Sequence, residues 1–137
     1  MKEALLVIDA SVMISWLIDD ERNDAWAMLE IASSHRIIVP SVWILEISNT
    51  LLIAEKRKRT TPGQTDYWME IIDGFHYTVD NGSSEISCRD MVAFSRFHEL
   101  SSYDASYLSL ALHSNAMLAT LDEKLKQAAE KAGIHVL

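Results

Sequence analysis

The run Leu5-Leu6-Val7-Ile8, ended abruptly by Asp9, is the feature that most restricts how this chain can fold. Four apolar residues without polar alternation mark a strand covered on both faces, which is the environment of a parallel sheet. Ile37-Ile38-Val39, stopped by Pro40, and the stretch from Ala116 to Thr120 have the same character. Parallel neighbours need long crossovers, normally helical ones, and the intervening segments supply them. Ser11 to Leu17 is apolar and enters a helix. Asn23 to Ala32 is amphipathic, with Trp26, Leu29 and Ala32 on one face. Ser41 is expected to cap a long helix reaching about Lys58, which Thr60, Thr61, Pro62 and Gly63 break. A further helix is expected over about Gln64 to Ile72.

Beyond it, His76 to Val79 reads as a short strand and Asn81-Gly82 as a turn, with Ser84 capping a helix that reaches about His98. Ser101 or Ser102 caps a helix over Tyr103 to His113. Glu123 to Ala132 is a helix closed by Gly133, and Ile134 to Val136 a last strand. The expected architecture is therefore α/β, a three-layer α/β/α sandwich with a short, mostly parallel central sheet. At 137 residues and 49% apolar content, with no repeat or linker, residues 1–137 are read as one domain.

No apolar run approaches the roughly 20 residues of a membrane span. The first strand starts almost at once, without a basic or cleavable leader, so the chain is expected in the cytoplasm. The single Cys88 cannot form an internal disulfide, in keeping with a reducing compartment. The net charge of −8 repels nucleic acid at long range. Cations held in an acidic pocket would reverse that field locally. The run Lys56-Arg57-Lys58-Arg59 adds one positive patch, readable either as an RNA contact or as cations at the negative pole of a helix.

Ligands of open parallel sheets bind beyond the carboxyl ends of the strands. Asp9 and Asp122 lie just past strands, Glu46 one turn into the helix after the second strand, and Asp104 in the first turn of a helix. All four can face one rim. Singly, Asp9, Asp104 and Asp122 can be explained as helix caps or dipole partners. Glu46 is harder to explain so, because it interrupts Val42-Trp43-Ile44-Leu45 and Ile47, and a buried carboxylate is costly unless paired or metal-bound. Clustered carboxylates suit Mg²⁺, with Mn²⁺ as a substitute. Asn49, on the face of Glu46, could hydrogen-bond the site. Ser11 and Thr120 could orient the acids or bound water, or serve as a helix cap and an ordinary strand residue. The five histidines show no ligand spacing.

These blocks resemble the PIN-domain family, and within it the toxin nucleases of toxin–antitoxin pairs. The resemblance rests on Val7-Ile8-Asp9-Ala10-Ser11, on Pro40-Ser41-Val42-Trp43 leading to Glu46 and Asn49, on Leu100 to Leu108 around Asp104, and on Leu118 to Leu125 around Asp122. Ala128 and Gly133-Ile134 also agree. The resemblance implies Mg²⁺-dependent endonucleolytic cleavage of RNA, a homodimer and a small cognate antitoxin. It makes Asp9, Glu46, Asp104 and Asp122 the metal ligands, with Ser11 and Thr120 as supporting hydroxyls and Asn49 as a further polar position. Asn115 stands where relatives usually have glycine, and asparagine tolerates a left-handed turn.

Rival chemistries fit less well. A phosphotransferase using Asp9 as nucleophile wants a second Asp where Ser11 stands, and glycines at 63, 74, 82 and 133 form neither GxGxxG nor a P-loop. A catalytically inert PIN-like binding module and an RNA-processing nuclease outside a toxin–antitoxin pair are the alternatives.

Overall fold

The computed structural model describes residues 4–18, 24–80 and 86–137. Asn23, the Trp26 side chain, the turn at Asn81-Gly82 and Ser84 lie outside the described residues. In chain order the elements are β1 (Leu5–Ile8), α1 (Ala10–Ile18), α2 (Asp24–Ala32), β2 (Arg36–Pro40), α3 (Val42–Lys56), α4 (Pro62–Asp73) and β3 (Tyr77–Asp80). They continue with α5 (Cys88–His98), α6 (Ser102–Ser114), β4 (Met117–Ala119) and α7 (Glu123–Lys131).

Among the described residues the strands form one parallel sheet in the order β3-β2-β1-β4. Leu6, Val7 and Ile8 are wholly buried although their side chains alternate between faces. Both faces of the sheet are therefore covered, as the unalternating run implies. The chain adds β2 and β3 on one side of β1, then crosses back to place β4 on the other. β1 and β4 thus flank the switch point where open α/β sheets bind ligands. Their register pairs Ile8 with Ala119, and the Asp9 N–H donates to the Ala119 carbonyl at 3.1 Å. Asp9 and Thr120 emerge side by side.

Trp43 is buried at the start of α3 and packs on Tyr77, with ring centroids 4.7 Å apart. Trp16 and Trp68 are half-buried against the core.

Three expectations are corrected. The helix expected from Ser84 begins at Cys88 and is capped by Ser87, whose side chain accepts from the Asp90 N–H. Ser87 has a carboxylate three residues on, as a capping box prefers, and Ser84 does not. Ser41 occupies the N-cap position of α3 but makes no side-chain cap bond. That helix stops at Lys56 because Lys58 is left-handed (φ 58°) and the Arg59 N–H turns back to the Ala54 carbonyl at 2.9 Å. The last strand is a single bridge from Val136 to Leu118, since among the described residues Leu118 alone shares its N–H, with the His135 carbonyl, and its carbonyl, with the Leu137 N–H.

The helix ends are well explained by local chemistry. Asn115 is left-handed (φ 51°), as anticipated, and closes α6 with a bond from Ala116 N–H to the Ala111 carbonyl. Gly133 (φ 86°) closes α7 in the same way, through Ile134 N–H to the Ala129 carbonyl. A Cβ at Gly133 would meet nothing within 4 Å, so only backbone strain opposes it. Gly133→Ala should therefore cost about 1 kcal/mol, read as a lower urea midpoint at unchanged m-value.

Candidate active site

The rim at the carboxyl ends of β1 and β4 is assembled from three helix starts. Asp9 is the N-cap of α1 and accepts from the Val12 N–H at 3.3 Å. Asp122 is the N-cap of α7 and accepts from the Lys124 and Leu125 N–H groups at 2.9 and 3.3 Å. Asp104 stands in the first turn of α6, where its N–H donates to the capping Ser101 hydroxyl at 3.1 Å. The capping explanation of Asp9 and Asp122 is thus correct, and it is compatible with convergence. Positive helix poles make an acidic rim easier to hold.

Two hydroxyls bind Asp9. Ser11 Oγ donates to Oδ1 at 2.5 Å, and Thr120 Oγ1 donates to Oδ2. Each hydroxyl also accepts from the β4–α7 turn: Leu121 N–H to Ser11 at 3.2 Å, and Asp122 N–H to Thr120 at 3.0 Å. The orientation of the Asp9 carboxylate is therefore locked to the loop that carries Asp122. Burial pushes the Asp9 carboxyl up to about 6, against the lowering effect of its bonds from Ser11, Thr120 and Val12 N–H, with Asp104 adding to the rise.

Asp104 is also raised above the usual carboxylate range. Burial is the main cause, followed by the charges of Asp122 and Glu46 and by a side-chain hydrogen bond with Asp122. These couplings place Asp9, Glu46, Asp104 and Asp122 in one electrostatic neighbourhood, and the charges they name all have the same sign. Glu46 is reached from α6 by Tyr107, whose hydroxyl donates to Oε1 at 2.6 Å. Burial, that bond and the nearby charges of Glu46 and Asp9 keep the phenol protonated, while the Ala10 backbone pulls the other way. Tyr107 is a site residue that reading the sequence misses. The available signal is a hydroxyl inside the buried run Tyr107-Leu108-Ser109-Leu110-Ala111, where a tyrosine normally needs a partner.

Other expected residues lie apart. Asn49 is exposed, and among the described residues no hydrogen bond joins it to the carboxylates. Lys56 to Arg59 are exposed at the opposite end of α3, about 15 Å along the helix from Glu46 at 1.5 Å per residue. Among the described residues no three acidic, imidazole or thiol groups are already drawn into a ligand cluster. The donors nevertheless suit a hard divalent cation. They are carboxylate oxygens, one of them buried, and the charges acting on Asp9 and Asp104 are carboxylates rather than cations.

The PIN-domain family model matches residues 6–131. This chain belongs to the PIN-domain family. PIN domains are generally nucleases and generally use divalent metal ions. A comparison with curated proteins finds no match. Among solved structures, PAE2754 from Pyrobaculum aerophilum is similar at 20% identity and a TM-score of 0.66, over 97% of this chain and 83% of that one. VapBC2 from Rickettsia felis, bound to a DNA fragment from their promoter, is similar at 13% identity and a TM-score of 0.68, over 97% of each chain. FitAcB from Neisseria gonorrhoeae is similar at 12% identity and a TM-score of 0.65, over 96% of each chain. At these identities the likeness concerns the fold. No helix among the described residues of this PIN domain is long and apolar enough to cross a membrane.

Proposed function

We propose that this PIN domain is a Mg²⁺-dependent endoribonuclease, the toxin of a type II toxin–antitoxin pair, acting in the cytoplasm as a homodimer with residues 1–137 forming one nuclease domain. The observation that carries the catalytic reading is the accumulation of like-charged carboxylates at the β1/β4 switch point, with Asp9 buried and raised to about 6. An arrangement that costly in the free protein is explained by a cation that offsets it. Asp9, Glu46, Asp104 and Asp122 are the ligands we assign. Mg²⁺ bound there, or Mn²⁺ in its place, supplies Lewis acidity that acidifies water and offsets charge on the phosphate.

The chain's own groups do the positioning. Ser11 and Thr120 hold both Asp9 oxygens, Tyr107 holds one oxygen of Glu46, and the starts of α1, α6 and α7 present positive poles to a phosphate. Water attacks phosphorus in line with the departing 3′ oxygen, leaving 5′-phosphate and 3′-OH ends without use of the ribose 2′-OH. Lys56 to Arg59, distant from the rim, act as an electrostatic contact for longer RNA, and Asn49 as an accessory polar group.

Support for an antitoxin partner comes from the fold likeness to VapBC2 and FitAcB and from α3, which exposes Leu45 and Leu52 one heptad apart. A partner helix would cover that stripe and extend a Lys or Arg into the acidic rim.

The test is cleavage of total RNA with and without EDTA, followed by sequencing of the ends cut after induced expression. Metal-dependent cutting that leaves 5′-phosphates supports the proposal. Intact RNA from a folded preparation supports the inert binding module instead. Tyr107→Phe removes one hydroxyl and keeps the ring. It should raise the Mg²⁺ concentration for half-maximal cleavage about tenfold or more. A purely structural tyrosine would lower the melting temperature and leave that Mg²⁺ dependence unchanged.

A further inference from the structure

A groove of about 650 Å³ lies between the exit of α5 and the outer face of α7, lined by Phe97, His98 and Glu99 on one side and Lys124, Gln127 and Lys131 on the other. Phe97 is 82% exposed, more than any other large apolar residue among those described. Its ring meets His98 edge-on with centroids 4.9 Å apart, and His98 in turn packs on Phe94 at 4.5 Å. The aromatic wall is therefore braced from below while its outer surface faces water. In a chain of net charge −8, two lysines and a histidine face this groove against the single carboxylate of Glu99.

The groove lies between α5 and α7, and the turns that leave the first and enter the second lead to the acidic rim. The α5–α6 turn carries Glu99 and leads to Asp104, and the β4–α7 turn carries Asp122 two residues before Lys124. Asp104 and Asp122 lie close enough for the charge of Asp122 to raise the Asp104 carboxyl. We infer that this groove binds single-stranded RNA next to the site of cleavage, with Phe97 as a stacking platform for a base and Lys124 and Lys131 as phosphate contacts. The inference rests on the ribonuclease reading above and adds the residues that seat the strand.

An exposed ring bordered by cations matches how non-sequence-specific sites hold single strands, by base stacking inside a positive groove. A second copy of the chain fits less well. One ring is far less than the apolar centre of a standard interface, and a cationic fringe meeting itself across a two-fold axis is repulsive.

The test measures binding of a fluorescein-labelled oligouridylate of about a dozen nucleotides to the full chain in EDTA, so that cleavage plays no part. Phe97→Ala should weaken binding about five- to a hundredfold, and Phe97→Trp should retain it. Lys131→Gln should reduce the slope of log affinity against log salt by about 0.7. Light scattering should give one assembly size for all variants. Equal affinity of wild type and Phe97→Ala, no binding by wild type, or a changed assembly size at unchanged affinity would each overturn the groove. Those results with RNA cleavage intact discard the groove alone. Phe97-dependent binding by a protein that cuts no RNA discards the nuclease reading and keeps the groove.

Discussion

Asp9→Asn should lower metal-dependent RNA cleavage by on the order of a thousandfold or more while leaving the protein folded. Removing a carboxylate from a cation site forfeits several kcal/mol of transition-state stabilisation, and each 1.4 kcal/mol is about tenfold in rate. The fold should survive because the charge is itself a burden in the metal-free state. The Asp9 carboxyl is raised from 3.8 to about 6 by burial. The folded state therefore holds its proton more tightly than the unfolded chain does. Stability from this group is fully present below about pH 4 and is lost as pH rises through about 6. The difference is about 3 kcal/mol at 1.36 kcal/mol per pH unit. In EDTA at neutral pH, Asp9→Asn should thus melt no lower than wild type, and its stability should vary less between pH 4 and 6. Cleavage retained by a folded Asp9→Asn would remove Asp9 from the chemistry.

The second large effect is on stability in the presence of metal. Mg²⁺ at about a hundred times its dissociation constant should stabilise the wild type by about 2.7 kcal/mol, by mass action on the folded state. For a domain of this size that is roughly 10 °C in melting temperature. Asp104→Asn should melt no lower than wild type without metal, because it relieves repulsion from Asp122 and Glu46. Its gain from Mg²⁺ should be clearly smaller. Differential scanning calorimetry with and without Mg²⁺ reads both quantities. Equal metal shifts in the two proteins would show that Asp104 is not a ligand.

The two experiments probe different properties of the same rim. The first asks whether the buried acid takes part in chemistry. The second asks whether the acids act together on a cation. A protein that gains stability from Mg²⁺ but cuts no RNA would be a cation-binding module on a nuclease fold.

Much of this was legible in the residues. Leu5 to Ile8 carry no polar alternation, which marks a strand covered on both faces, and the helical segments between such runs make the sheet a parallel one. Asp9 and Asp122 follow strands, so their place at the carboxyl edge is a matter of chain connectivity. The caps at Ser101 and Asp122 and the left-handed exits at Asn115 and Gly133 depend on energies acting within a few residues, which a sequence displays directly, whereas Thr61, read as part of a break, instead caps α4 with Pro62 as its first residue. The cap at Ser87 marks the limit of such local reading. Ser84 and Ser87 are alike in themselves, and only the carboxylate of Asp90 three positions after Ser87 separates them.

Lateral neighbours are another matter. The register of Ile8 against Ala119 sets Thr120 beside Asp9, and the hydroxyl of Tyr107 on α6 reaches Glu46 on α3 across 61 residues. The tertiary arrangement also leaves Lys56 to Arg59 at the far end of α3 from Glu46 and Phe97 across a groove from α7. Strand order and helix placement are selected by the summed burial of the whole core, to which no short segment holds the key. The sequence by itself determined the type of sheet and the edge on which the acids stand. The tertiary structure alone decided that Tyr107 reaches Glu46 and which surface lies next to the acids, because both depend on how distant helices pack.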